Sequence, residues 1–207
     1  MPAHETPVTL EGPAGALEGL HRPAGTPDAG ACLLLHPHPL WGGHMRSKVV
    51  HACQKVCAAR GLATLRVNFR GAGASIGAFD DGQGEQDDAR AALAWLRARS
   101  GGPVHLLGFS FGAWIALRVG AADGGVASMT AVGTPVAWAE LDFLGDCAVP
   151  KLFLHGTEDQ YCDPAELAVV AERAAPPSAL RWIEGADHFF TGKLAALAAA
   201  LEESFPG

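Results

Sequence analysis

The five residues Gly108-Phe109-Ser110-Phe111-Gly112 constrain this chain more than any other stretch. They follow an apolar run, Val104 to Leu107, and precede a strongly helical one, Ala113 to Val119, so the local reading is strand, sharp turn, helix. A serine at such a turn is forced into a strained backbone conformation with its hydroxyl exposed above the sheet, and the flanking glycines let strand and helix approach each other. The same residues also fit a helix that opens on a serine N-cap. The remainder of the chain decides between the two readings.

That remainder alternates between extended and helical patterns. Val8 to Glu11 and Ala16 to His21 read as an edge hairpin around Gly12-Pro13-Ala14-Gly15. Ala31 to Leu35 is a continuous apolar run, the mark of a strand buried on both faces, and it runs into His36-Pro37-His38-Pro39-Leu40-Trp41-Gly42-Gly43. Between Arg46 and Arg60, Val49, Ala52, Cys53 and Val56 recur at helical spacing, and Gly61 supplies a stop. Leu62 to Phe69 is the next strand, followed by a glycine-rich loop holding Asp80, Asp81, Glu85, Asp87 and Asp88, whose carboxylates are expected to solvate the loop and favour a helix over Asp87 to Arg99. Gly71 and Gly73 suggest a dinucleotide fingerprint, but Ile76 and an acidic loop follow where a glycine and a helix are required.

After the central turn come a strand over Val126 to Val132 and a brief segment, Val136 to Asp146, with room for a turn or two of helix. A strand over Val149 to Leu154, a helix over Pro164 to Ala174, a strand over Ala179 to Ile183 and a terminal helix over Phe190 to Ser204 complete the chain. This alternation predicts an α/β fold, a mainly parallel sheet of about eight strands with helices on both faces, as one domain over residues 1–207. Reactive groups are then expected in loops at the carboxyl ends of the strands.

Composition narrows the function classes. The net charge is −7 and no Lys/Arg run stands out, which argues against a nucleic-acid partner. Met1 to Pro7 lacks a basic segment leading into an apolar core, and no apolar window approaches the ~20 residues of a membrane span. The five cysteines form an odd set without a C-x-x-C pair, which suits structural thiols in a reducing compartment, so a cytoplasmic protein with no membrane partner is expected. A monomer and a homodimer are both compatible with the sequence.

Three strand-end loops each present one member of a nucleophile, acid and base set. Ser110 follows the central strand, Asp159 follows the strand that ends at His155, and His188 follows the last strand. Serine is a poor nucleophile at neutral pH unless an imidazole accepts its proton, and that imidazole needs a carboxylate to fix its tautomer. Glu158 and Asp163 compete with Asp159 for the acid, and His155, before a glycine at a strand end, reads as structural. His36, His38 and His44 suggest a metal site only weakly, because no Cys or carboxylate partner sits at ligand-like spacing, and none is expected.

With these residues in the order Ser, Asp, His, the sequence resembles an α/β-hydrolase across nearly its whole length. Within that superfamily it is similar to the small capless dienelactone-hydrolase-like group, through His36 to Gly43, Asn68-Phe69-Arg70-Gly71 with Gly73 and Ser75, the serine turn, His155-Gly156 before Asp159, and Asp187-His188-Phe189-Phe190. Dienelactone hydrolases have a cysteine nucleophile where this chain has Ser110, so their lactone specificity does not carry over. The resemblance implies an oxyanion hole formed by the backbone N–H of Phe111 and one from the loop after Leu35. His38 is the preferred second donor because Pro37 and Pro39 have no N–H, and Leu40 is the alternative.

The implied chemistry is cleavage of a small or medium carboxylic ester or thioester through an acyl-enzyme, without cofactor or metal. Leu40, Trp41, Trp138, Leu141, Phe143, Tyr161 and Phe189 are candidates for an apolar acyl pocket, each equally able to pack in the core. Serine peptidase chemistry on short peptides is the nearest rival, and a non-catalytic binding protein on the same fold is the rival from a different class.

Overall fold

In the computed structural model, which describes residues 4–205, the predicted alternation becomes one eight-stranded sheet. Its strands are β1 (Thr6–Gly12), β2 (Gly15–Arg22), β3 (Ala31–Leu35), β4 (Ala63–Val67), β5 (Val104–Phe109), β6 (Val126–Val132), β7 (Lys151–Gly156) and β8 (Ser178–Ile183). The helices are α1 (Lys48–Ala59), α2 (Gln83–Arg97), α3 (Phe111–Ala122), α4 (Pro164–Arg173) and α5 (Leu194–Ser204). Residues 1–3 and 206–207, the ends of the domain expected over 1–207 and the start of the segment Met1 to Pro7, lie outside the described residues. No helix among the described residues is long and apolar enough to cross a membrane.

The strand order is β1-β2-β4-β3-β5-β6-β7-β8. β1 pairs antiparallel with β2, and β2 with β4; every later pairing is parallel. β3, β4, β5 and β7 are buried at every position, and β3 accordingly reads as an unbroken apolar run, while the others also bury Thr64, Arg66, His105, Lys151 and His155. Two apolar layers cover the sheet. α2, α3 and α4 pack on one face around Leu33, Leu65, Phe111, Ile115 and Leu167. α1 and α5 pack on the other around Leu34, Cys53, Leu107, Leu154 and Leu197. All five cysteines are buried free thiols.

Two helix starts differ from the sequence expectation. α2 begins at Gln83 and not at Asp87, because two carboxylates expected to solvate the loop are instead buried structural groups. Glu85 accepts hydrogen bonds from the N–H groups of Asp80 (3.0 Å) and Gly82 (2.8 Å), satisfying donors ahead of the helix that would otherwise be orphaned. Asp88 is buried beneath Arg70, whose guanidinium reaches it through two hydrogen bonds of 3.0 and 2.8 Å and whose own N–H donates a third at 2.9 Å. This bidentate pair ties the loop after β4 to α2. The terminal helix begins at Leu194 and not at Phe190, because Phe190 and Gly192 have positive φ (53° and 68°) and a helix cannot pass through them.

Removing one partner of a buried ion pair leaves the other charge unpaired in the interior. Asp88→Ala is expected to lower unfolding free energy by about 3–5 kcal/mol in urea denaturation, and Asp87→Ala, on the exposed side of the same turn, by less than about 0.5 kcal/mol. Three buried histidines make a second prediction. Burial holds the pKa of His36 down to about 3 and lowers those of His105 and His155. The unfolded chain binds protons at these sites below its ordinary value of ~6.5 while the fold does not, so stability is complete above that pH and is lost as pH falls towards 3. Each such site contributes a slope of up to ~1.4 kcal/mol per pH unit. The urea midpoint should therefore fall between pH 7.5 and pH 5.5; equal midpoints would contradict the neutral assignment.

Candidate active site

Ser110 sits where β5 gives way to α3, with φ 55° and ψ −121°. Such a backbone is costly for a residue with a side chain and persists only where its surroundings enforce it. The enforcement is local. A Cβ on Gly108 would overlap the carbonyl of Gly112, and a Cβ on Gly112 would lie 2.5 Å from the carbonyl oxygens of Leu35 and His36. The N–H of Ser110 donates to the Val132 carbonyl at the end of β6 (2.8 Å), and its hydroxyl makes no helix-capping bond, so the Oγ is left to other partners.

That partner is His188. Its Nε2 lies 3.0 Å from Ser110 Oγ, and its Nδ1 lies 2.8 Å from Asp159 Oδ2. Asp159 follows β7, and its second oxygen, Oδ1, accepts from the N–H groups of Tyr161 (2.9 Å) and Cys162 (3.0 Å), so the carboxylate is fixed on both sides. Burial pushes the Asp159 carboxyl up, but the hydrogen bond and charge of His188 with the Tyr161 N–H outweigh it, and the group titrates below the ordinary carboxylate range. Of the competitors, Asp163 caps α4 through the Ala165 N–H, and no hydrogen bond or ion pair joins Glu158 to His188 among the described residues. His155 is fully buried, with Nε2 2.8 Å from the Cys162 carbonyl, where it braces the turn that carries the acid. The loops holding acid and base are joined as well, through Glu158 N–H to the Ala186 carbonyl and Gly185 N–H to Thr157 Oγ1.

Because β3 lies beside β5, the loop after Leu35 flanks the serine turn. There a short 3₁₀ turn, Pro39–Trp41, starts from His38 and ends at Gly42 in the left-handed conformation. The N–H of Leu40 is engaged by His38 Nδ1 (3.3 Å), whereas the N–H groups of His38 and Phe111 make no hydrogen bond among the described residues. The His38 ring packs against those of Trp41, Phe79 and Phe111 at centroid distances of 4.5, 4.7 and 5.1 Å. His36, His38 and His44 do not converge as ligands; each has a ring nitrogen tied to local backbone. Among the described residues, the group that brings three ligand-type atoms within 4.8 Å of one another is Asp159, Cys162 and His188.

Ser110 and His188 open on a cleft of about 830 Å³. Of the seven aromatic and aliphatic candidates, Trp41, Trp138, Tyr161 and Phe189 line it. The other three do not. Leu141 is buried in the layer formed with α3 and α4, Phe143 packs on the same layer beneath Arg118 (4.9 Å), and Leu40 points from the exposed side of the 3₁₀ turn. The short segment after Pro135 thus turns its aliphatic residues into the core and offers only Trp138 to the cleft. Cys162 was not anticipated: its Sγ lies 3.9 Å from His188 Nδ1 and 3.6 Å from the Gly133 carbonyl. The spacing is the only sequence signal, since the turn that wraps two N–H groups around Asp159 places the residue three positions on against the base. Burial and the Asp159 charge push the Cys162 thiol up to about 12, so it stays protonated.

Comparison with known proteins agrees with this fold. A structure of an α/β serine hydrolase homologue from Coxiella burnetii superposes with a TM-score of 0.91 at 34% identity, covering 97% of each chain. A member of the α/β serine hydrolases without lid from Xanthomonas campestris superposes with a TM-score of 0.88 at 32% identity, covering 98% of this chain and 94% of that one. An uncharacterised protein of Rickettsia prowazekii is 35% identical over 206 residues, 95% of this chain and 87% of that protein. Residues 19–181 match the family model described as X-Pro dipeptidyl-peptidase (S15 family). The chain belongs to that S15 family, and its fold is that of an α/β-hydrolase without a lid.

Proposed function

We propose that the protein is a serine hydrolase cleaving a small or medium carboxylic ester or thioester through an acyl-enzyme. The observation that carries this reading is the continuous hydrogen-bond chain from Ser110 Oγ through the His188 ring to Asp159, opening on an aromatic cleft. Ser110 Oγ attacks the carbonyl carbon as its proton passes to His188 Nε2, and Asp159 holds the imidazolium through Nδ1. The tetrahedral oxyanion is met by the free N–H groups of Phe111 and His38. Nε2 then protonates the departing alcohol or thiol, and water repeats the sequence to release the acid and restore Ser110. Acyl transfer of this kind needs no cofactor. Five buried thiols suit a reducing compartment, and we place the protein in the cytoplasm.

The S15 family name favours a second reading, a peptidase acting on short X-Pro peptides. Selection of a free peptide amino terminus calls for a carboxylate in the cleft, and none of the cleft-lining residues is Asp or Glu. Esters therefore remain the preferred substrates. A third reading, a non-catalytic binding protein, is met by the first experiment below.

A fluorophosphonate probe should label wild-type protein and not Ser110→Ala. Ser110→Ala and His188→Ala should each lower kcat on a p-nitrophenyl acyl ester by about 10⁴–10⁶-fold, with little further loss on combining them. Absence of labelling would favour the binding protein, and a higher kcat/KM on an X-Pro anilide than on the ester would favour the peptidase. The oxyanion donor is tested separately. His38 has φ −52°, a value proline adopts, so His38→Pro deletes the N–H with little change of backbone. It should lower kcat roughly 10²–10³-fold, whereas His38→Ala, which keeps the N–H, should stay within about tenfold of wild type. Equal losses in the two variants would remove His38 N–H from the oxyanion hole.

A further inference from the structure

The His36 side chain is fully buried directly after β3, yet neither the Ser-His-Asp set nor the cleft uses it. Both of its ring nitrogens are engaged. Nε2 accepts the N–H of Phe69 (3.0 Å), just beyond the end of β4, and Nδ1 lies 2.6 Å from the carbonyl oxygen of Pro37. One partner is a donor and the other an acceptor, so a single neutral tautomer fits, with the proton on Nδ1. A second ring proton would point at the Phe69 N–H, consistent with the pKa of about 3 that burial imposes.

The Pro37 carbonyl receives no other hydrogen bond among the described residues, so His36 supplies its one polar restraint. What it restrains is the orientation of a peptide plane. The Pro37–His38 bond is trans, and in a planar trans peptide the C=O and the following N–H point in opposite directions. Holding the carbonyl therefore aims the His38 N–H away from the His36 ring. The far side of His38 is held separately, by the N–H groups of Trp41 (3.1 Å) and Gly43 (3.0 Å) on its carbonyl, and a Cβ on Gly43 would overlap the Pro37 carbonyl. Those contacts fix the turn but do not bond to the peptide that carries the N–H. The His36 ring also packs on Phe69 (4.7 Å), which meets Phe111 edge-on (5.7 Å), so the same imidazole abuts the supports of both free N–H groups.

We propose that His36 is a positioning residue for the oxyanion hole: by bridging the Phe69 N–H to the Pro37 carbonyl, it aims the His38 N–H at the substrate oxyanion. This rests on the serine-hydrolase reading above. Without the bridge, no hydrogen bond fixes the tilt of the Pro37–His38 peptide plane within the space that Gly43 leaves it, and the donor is averaged over orientations of which fewer serve the transition state.

The test is a double-mutant cycle on a p-nitrophenyl acyl ester, with rates expressed per fluorophosphonate-titrated site so that misfolded protein is not counted. His36→Leu, which keeps an apolar filler and neither hydrogen bond, should lower kcat about 10–100-fold with KM changed less than about threefold. Affinity for an arylboronic acid, which forms a tetrahedral adduct with the serine, should fall in parallel with kcat/KM. His36→Asn, which restores a donor to the Pro37 carbonyl, should recover most of the loss and serves as the probe if His36→Leu does not fold. In the His38→Pro background, where there is no N–H to aim, either substitution should cost less than about threefold. Additive losses in that background, or a folded His36→Leu with wild-type kcat, would overturn the proposal. A wild-type protein that the probe does not label would instead defeat the serine-hydrolase reading.

Discussion

A serine with a side chain in a left-handed backbone conformation is unstable by itself, and the fold is arranged to make that conformation unavoidable. β5 occupies the middle of the sheet, with β3 on one side and β6 on the other, and α3 leaves it at once. Gly108 and Gly112 remove the two side chains that would keep strand, helix and the Leu35–His36 backbone apart. Once that packing is imposed, Ser110 has nowhere to place its hydroxyl except above the carboxyl ends of the strands. The buried runs of β3 to β7 supply the free energy that offsets the strain, since burial of apolar surface is the dominant favourable term available to such a domain.

The same topology distributes the chemistry. Each of the loops after β3, β5, β7 and β8 contributes something different: the unpaired His38 N–H, Ser110, Asp159 and His188. None of these loops is left to itself. Two N–H groups grip Asp159, His155 braces the turn behind it, Arg70 and Asp88 pin the loop after β4, and His36 joins that loop to Pro37. Most polar groups buried at these strand ends find a partner, as the cost of an unsatisfied buried donor or charge favours, while His155 Nδ1 and Thr134 Oγ1 are buried without one.

Much of this was legible in the sequence, and for identifiable reasons. Strands buried on both faces are written as continuous apolar runs, so β3, β5 and β7 were visible, and the order of Ser110, Asp159 and His188 follows from which strand each one ends. What escaped was decided by long-range pairing. Glu85 and Asp88 look like solvated loop residues until Arg70, some fifteen or more positions away, is seen to bury against Asp88. Leu141 and Phe143 look like pocket residues because proximity in sequence to Trp138 does not say which way the short segment after Pro135 turns. Cys162 is silent in the sequence, and His36 shows there only as part of the His36 to Gly43 motif, because what each one touches depends on a single atom facing a distant neighbour.

The sheet holds Ser110 and His188 at different depths. Ser110 is anchored at the centre, whereas His188 rides on the loop after β8, an edge strand on which Arg181 and Trp182 are exposed. Edge elements open at lower free energy than central ones. An excursion that lifts β8 from β7 parts Nε2 from Oγ while β5, α3 and the buried core stay in place. The contact between Ser110 and His188 therefore depends on the outermost seam of the sheet and not on its overall cohesion.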